Sequence, residues 1–328
     1  MPIETITVGT RADWLALRLR DVTASAAAAL FNAHPYVSAL SLHALKAGLT
    51  TEDPEETGPM RRGRLLEPVA VQLLREERPG WKVIHNSGPK QRYVRDPGLR
   101  IGCTPDVFVT DEQGRRGIVQ IKTVEPRIFR EKWRGGSSSG EIEVPLWIVI
   151  QAIVEAKLTK AEFACVAPMV VSHGVDMQLL DIPLHAGLWS KLVVKVGEFW
   201  KGVTEKRPPQ ANYEMDGALI ASLYGQDDKS VVDLSRDNRI MEILAERELL
   251  KAREKDGNEA EKRRKILDTE IIEKMGHAAV ADLGNGVSIS APTTHRNGYE
   301  VKPSQYRTVR VRGFSLPASG ADGAGASA

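Results

Sequence analysis

Ile101-Gly-Cys-Thr-Pro-Asp106 leads through Asp111-Glu-Gln-Gly114 to Gly117-Ile-Val-Gln-Ile-Lys122. Apolar runs on either side of an Asp/Gly turn read as a hairpin. One strand carries Asp106, a turn spans Asp111 to Gly114, and a second strand, Ile118 to Ile121, ends at Lys122. Period-two alternation puts Gln120 and Lys122 on one face of that second strand and Ile121 on the other. An acid on one strand therefore faces a Gln-x-Lys pair on the next. Oxygen ligands of this kind suit a hard divalent cation, and an ammonium beside them suits an attacking water or the charge that develops on phosphorus during phosphodiester hydrolysis.

With 328 residues, 42% of them hydrophobic, the chain can bury one large core or two smaller ones. No apolar run is long enough to cross a membrane, and the opening Met-Pro-Ile-Glu-Thr lacks the basic and apolar regions of a signal peptide, so the expected location is cytoplasmic. Cys103 and Cys165 fall in apolar strand-like segments, which favours buried reduced thiols over a disulfide or zinc site. Two cysteines also exclude a four-cysteine iron–sulfur cluster. A formal charge of +2 neither demands nor forbids a nucleic-acid partner, because the position of the positive charge matters more than its sum.

Upstream of the hairpin, Thr23 or Ser25 is placed to cap an alanine-rich helical stretch, Ala26 to Phe31, with Arg18 and Arg20 just before it. A capped helix start beside a guanidinium is a phosphate site in outline. Arg61-Arg-Gly-Arg64 opens a helix to about Glu77, in which Leu65, Leu66, Val69, Leu73 and Leu74 form an apolar stripe with Glu67 beside it. Short strands follow at Trp81 to Ile84 and Gln91 to Val94. Downstream of Lys122, Arg127, Arg130, Lys132 and Arg134 lead into the flexible run Gly135-Gly-Ser-Ser-Ser-Gly140, basic enough to follow a phosphate backbone. A helix from Val144 to Leu158 carries Gln151 and, one turn later on the same face, Glu155. Strands at Phe163 to Val171 and Gln178 to Ile182 and a helix from Ala186 to Lys201 complete a mixed sheet with its flanking helices.

The order Arg18 and Ser25, Glu67, Thr104-Pro-Asp106, Gln120-x-Lys122 and Gln151 resembles the PD-(D/E)xK nuclease core, and within it the lambda exonuclease and YqaJ-type viral recombinase branch. The resemblance implies an α/β fold, a central mixed sheet flanked by helices. It also implies a Mg²⁺-dependent (or Mn²⁺-dependent) exonuclease of phage recombination that degrades double-stranded DNA from 5′ ends. By it, Asp106, Gln120 and the Ile121 carbonyl hold metal, Glu67 holds a second metal or its water, and Lys122 and Gln151 orient the nucleophile. Arg18, Ser25 and Thr104 fall to the terminal 5′-phosphate and DNA. The implied partners are double-stranded DNA ends, a single-strand annealing protein and further copies of the chain in a ring trimer. The departure is Gln120, where the pattern has Glu or Asp; a neutral amide still ligates Mg²⁺ but removes one charge, and Glu155 is the carboxylate nearby to make it up. The alternatives left open are a non-catalytic DNA-end-binding protein and an endonuclease on the same core.

These motifs place a nuclease-like domain at residues 1–209. Residues 210–318 read as an extension: from Glu242 to Lys274 there are 10 acids and 9 bases, interleaved as in a solvent-laced helix pair with a turn at Asp256-Gly-Asn258. A small β unit follows, Val287 to Ser290 and Tyr299 to Val311, with Lys302, Arg307, Arg310 and Arg312 making its strand basic. The Gly/Ala/Ser-rich residues 319–328 read as a disordered tail.

Overall fold

The computed structural model describes residues 2–51, 56–134, 142–253, 258–295 and 305–314. The run Gly135 to Gly140, most of the Asp256-Gly-Asn258 turn, residues 299–304 and the 319–328 tail lie outside the described residues. The chain divides into two compact units, Met1–Gln210 and Ala211–Ala328.

The first unit begins with β1 (Glu4–Val8), α1 (Arg11–Arg20), β2 (Val22–Thr23), a 3₁₀ turn at Ala27–Phe31, α2 (Ala39–Lys46) and α3 (Gly58–Glu77). The strands β3 (Lys82–His85), β4 (Gln91–Asp96), β5 (Ile101–Cys103), β6 (Val107–Thr110) and β7 (Arg116–Val124) follow. The short α4 (Pro126–Ile128), α5 (Leu146–Thr159), β8 (Phe163–Val171), β9 (Val175–Met177), β10 (Leu180–Asp181) and α6 (Ala186–Thr204) complete it. Two sheets result, one ordered β1-β4-β5-β2 and a mixed one ordered β10-β8-β7-β6-β3, with β9 beside β8.

The expected single strand from Ile101 to Asp106 is in fact a change of sheet: β5 pairs with β4 and β2, whereas β6 pairs with β7 and β3. Pro105 has no N–H to donate and restricts the backbone of Thr104, so the first ladder stops at Cys103 and Asp106 opens the second. β3 pairs with β6, and β4 with β1 and β5, so β3 and β4 do not pair with each other. The hairpin itself forms as read, with Val107 opposite Val119 and Thr110 opposite Arg116. Its turn is held by Asp111, whose Oδ1 accepts from the N–H groups of Gln113 (3.0 Å) and Arg115 (2.8 Å), and by Gly114 at φ +79°.

β7 runs parallel to β8 over its whole length, and α5 makes the crossover and covers one face of the pair. On that face Ile118, Ala164 and Val166 pack against Ile148, Ala152, Ile153 and Ala156. On the opposite face Val107, Val109, Val119 and Ile121 pack against Ala70, Val71 and Leu74 of α3. The buried stripe of α3 is thus rotated from the expected one: Leu65 and Val69 are 55% and 43% exposed. Helix α5 is buried nearly all round, Gln151 and Glu155 included.

In the smaller sheet, fully buried Asp21 accepts from Arg95 through both carboxylate oxygens (2.8 Å each) and from the Tyr93 hydroxyl (3.0 Å). Gly102 is needed beneath them, since a Cβ there would lie 2.0 Å from the Tyr93 oxygen. Both cysteines are free and buried, and burial raises both thiols above their ordinary range.

The second unit contains α7 (Gly217–Leu223), β11 (Val231–Asp233), α8 (Asn238–Arg253), α9 (Asn258–Met275), β12 (Val280–Asp282), β13 (Ser288–Ser290), β14 (Thr293–His295), β15 (Gln305–Arg307) and β16 (Arg310–Arg312). The helices α8 and α9 form the expected charge-laced pair, antiparallel, bridged by Asp237–Lys274 (2.8 Å), Arg239–Glu270 (3.4 Å) and Glu246–Arg263 (2.7 Å). The expected basic strand splits between two sheets, β15 with β14 and β16 with β13. Arg307 points inward, donating to the carbonyls of Tyr224, Gly276, Ala278 and Ala291, so it holds the fold instead of lining a basic surface.

Candidate active site

The junction between the two sheets creates the site. Register carries Gln120 opposite Asp106, one step beyond the last paired residues of the hairpin. The Asp106 carboxylate turns back onto β7, where its Oδ2 accepts from the Ile121 N–H (2.8 Å) and from the Gln120 side-chain amide. The Gln120 carbonyl oxygen, Oε1, is buried and meets no donor among the described residues. Burial raises the Asp106 carboxyl above its ordinary range; Lys122 pulls it back down, and the charge of Glu67 pushes it up again.

Two residues along β7, Lys122 leaves the same face. Its Nζ donates to Gln151 Oε1 at 3.1 Å and lies 5.4 Å from the centre of the Trp147 ring. Gln151 then donates through Nε2 to Glu155 Oε1 at 2.9 Å. Gln151 and Glu155 are 5% and 1% exposed, so this line from strand to helix is shielded from water. The second Glu155 oxygen, Oε2, is buried without a partner among the described residues. Burial is the chief cause that raises the Glu155 carboxyl, with the Asp106 charge next.

Glu67 comes to the site from α3, on the other face of the sheet. Its carboxylate lies 2.7 Å from His85 Nε2 at the end of β3, and its charge acts on Asp106. Beside His85, buried Asn86 fixes the Pro105-Asp106 segment. Its Nδ2 donates to the Pro105 carbonyl (2.8 Å) and the Arg92 carbonyl (3.0 Å), its Oδ1 accepts from Arg92 N–H (2.7 Å), and its N–H donates to the Asp106 carbonyl (2.8 Å). No motif in the sequence singles out His85 or Asn86. Their one signal is position, in the connection that follows the strand pairing with β6.

The residues expected at a terminal phosphate are arranged differently from their sequence reading. Ser25 and Thr23 cap no helix: Thr23 is drawn into β2 beside β5, and Ala27–Phe31 is a 3₁₀ turn whose cap position, Ala26, has no side-chain bond. The two hydroxyls instead hydrogen-bond each other at 3.2 Å. Arg18 stacks 4.3 Å over the Trp14 ring, and Trp14 Nε1 donates to Thr104 Oγ1 at 3.1 Å. Trp14, one helical turn before Arg18, therefore joins Arg18 to the Thr104-Pro-Asp106 segment, a link the i, i+4 spacing could have disclosed. His34 packs 5.3 Å from the Trp147 ring and is held below its usual range by burial, against the backbone hydrogen bond it makes with Ser25. The basic stretch after Lys122 begins as helical turns pinned by buried Phe129 and Trp133.

The donors around Asp106 suit a hard cation. The carboxylate of Asp106 and the amide of Gln120 both offer oxygen, and the Gln120 oxygen is buried with no hydrogen-bond donor among the described residues. Among the described residues no group of three or more Asp, Glu, His or Cys side chains is placed to hold a metal ion.

Structures similar to this chain include the alkaline exonuclease LHK-Exo from Laribacter hongkongensis, at 20% identity over 60% of this chain and 94% of that one, with a TM-score of 0.46. The same enzyme in complex with dAMP aligns equally. A phage-related exonuclease from Haemophilus somnus 129PT aligns at 14% identity over 61% of this chain and 91% of that one, TM-score 0.37. No curated protein matches the chain. The sequence from 13 to 162 matches the YqaJ-like viral recombinase domain, and that span runs from the helix of Trp14 and Arg18 through Asp106 and Lys122 to Gln151. The mixed sheet and flanking helices are arranged around those residues, so the first unit contains a stretch similar to the YqaJ-like viral recombinase domain.

Proposed function

We propose that the first unit is a metal-dependent deoxyribonuclease that degrades double-stranded DNA from 5′ ends and leaves single strands for an annealing protein. The observation that carries this reading is the line from Asp106 across Gln120 to Lys122 and Gln151: a carboxylate and an ammonium on adjacent strands, the ammonium 3.1 Å from an amide oxygen on a buried helix. Asp106, Gln120 and the Ile121 carbonyl would hold Mg²⁺ or Mn²⁺, and Glu67, oriented by His85, a second ion or its water. Bound there, such a cation supplies Lewis acidity toward a phosphodiester oxygen. Lys122 stabilises the negative charge that develops in the transition state, and Gln151 fixes the direction of its ammonium. Arg18, stacked on Trp14, with Ser25 and Thr104, receives the terminal 5′-phosphate. Double-stranded DNA ends are the substrate, and a ring trimer is the assembly in which that strand would be retained.

End-labelled linear and closed circular duplexes, incubated with the protein and Mg²⁺ or Mn²⁺, test the reading. Linear DNA is degraded, faster with a 5′-phosphate than with a 5′-hydroxyl, and circular DNA is spared. Lys122→Ala and Asp106→Ala each lower the rate by about two orders of magnitude or more, the scale of a lost transition-state donor. Cleavage of the circle would instead establish an endonuclease. Gln120 favours a second reading, a non-catalytic end-binder: retention of DNA ends with no cleavage at any concentration of either metal would establish that one.

A further inference from the structure

We propose that Tyr36 stacks its ring on the base of the 5′-terminal nucleotide, so that a DNA end is held through its base as well as its phosphate. The inference rests on the DNA-end reading above. It holds for a nuclease and for a non-catalytic end-binder alike, because it concerns recognition and not cleavage.

Tyr36 is 81% exposed, more than any other large apolar side chain among the described residues, yet it is fixed from behind. His34 Nδ1 accepts from the N–H groups of Tyr36 (3.1 Å) and Val37 (2.9 Å), which closes the backbone into a tight turn and leaves the imidazole proton on Nε2. The same buried imidazole hydrogen-bonds the backbone of Ser25. Three rings then pack together: His34 and Trp147 at 5.3 Å, His34 and Tyr36 edge-on at 6.1 Å, and Tyr36 and Trp147 edge-on at 6.4 Å. Neither contact of the Tyr36 ring is a parallel stack, and most of its π surface stays in water.

An exposed tyrosine is ordinary on a protein surface. This one is distinguished by its neighbours. Trp147, against which it packs, lies 5.4 Å from Lys122 Nζ, and His34, which holds its backbone, holds Ser25 as well. Lys122 is the ammonium proposed for the phosphate under attack, and Ser25 is among the residues proposed for the terminal phosphate. Tyr36 is thus tied to both ends of the one nucleotide that lies between those phosphates. When that nucleotide enters the site its base leaves the duplex stack, and an aromatic face replaces the stacking it loses. Such a contact tolerates any sequence, since every base has a π face, and that suits recognition of ends in general.

Equilibrium binding of fluorescent duplexes tests this, with Lys122→Ala present throughout to stop turnover. Two 5′-phosphorylated duplexes differ only in the 5′-terminal nucleotide, which carries adenine in one and is abasic in the other. With Tyr36 in place the adenine end binds about tenfold more tightly, the scale of one base on one aromatic ring. Tyr36→Ala erases that preference by weakening the adenine end alone, Tyr36→Phe keeps it, and Tyr36→Leu, apolar but without a π face, loses most of it. A purely structural tyrosine gives a different result: both ends weaken together in Tyr36→Ala and the ratio survives. If Tyr36→Ala melts well below its parent, the Phe and Leu variants decide on the same ratio. Equal affinity for the two ends with Tyr36 in place, or a preference that Tyr36→Ala retains, overturns the inference and leaves the nuclease and end-binding readings standing. A protein that binds neither end, and whose wild type degrades no linear DNA, overturns all three.

Discussion

Asn86 shows what a single residue outside every motif contributes. Three side-chain hydrogen bonds and one backbone bond tie it to Arg92, Pro105 and Asp106, so the segment that aims the Asp106 carboxylate is set by a buried amide. Asn86→Ala leaves the Pro105 and Arg92 carbonyls and the Arg92 N–H to find new partners, at a cost of about 1–3 kcal/mol. Urea unfolding should register that loss. If Asn86 is a positioning residue, kcat falls about tenfold at saturating Mg²⁺ while KM for DNA stays within about twofold, because the misplaced group acts in the transition state. An unchanged kcat in a destabilised variant would reduce Asn86 to a purely structural role.

At the scale of elements, the smaller sheet is held to its helix by one buried ion pair. Asp21 follows α1 directly, and Arg95 on β4 meets it with two parallel hydrogen bonds while Tyr93 adds a third. Removing one partner leaves an uncompensated charge, so Asp21→Ala should destabilise the unit by about 3–5 kcal/mol. Denaturant midpoints check this. Asp21→Asn, which keeps shape and one acceptor, should cost less, and equal losses in the two variants would show that packing, not charge, is at stake. The same junction explains why Ala27–Phe31 is a 3₁₀ turn without the expected cap: Val22 and Thr23 are claimed by the ladder with β5, and Ala27, Ala28 and Ala29 are buried in the core.

For the whole molecule, every residue assigned to chemistry falls within Met1–Gln210. The second unit has its own core, with Ile240, Ile243, Leu244, Leu267 and Ile271 buried between α8 and α9, and its inward arginines Arg247 and Arg307 bond within the unit. Residues 1–210 alone should therefore melt cooperatively and retain cleavage that depends on Lys122. A fragment that folds but does not cleave would assign part of the catalytic function to residues 211–328.

The hairpin from Val107 to Val124, the long helices and the helix pair of the second unit were legible in the sequence, because alternation, helical spacing and an Asp/Gly turn are local signals. Gln120 and Lys122 on one face followed from period two alone. Three things required the tertiary structure. Pro105 divides Ile101–Asp106 between two sheets, which depends on which strands pair at a distance. The orientation of α3, with Leu65 and Val69 outward, depends on the sheet it meets. The line from Lys122 to the buried Gln151 and Glu155 exists only because the crossover between two parallel strands lays α5 across β7; spacing puts two polar residues on one helix face, and only packing shows that this face is closed to water.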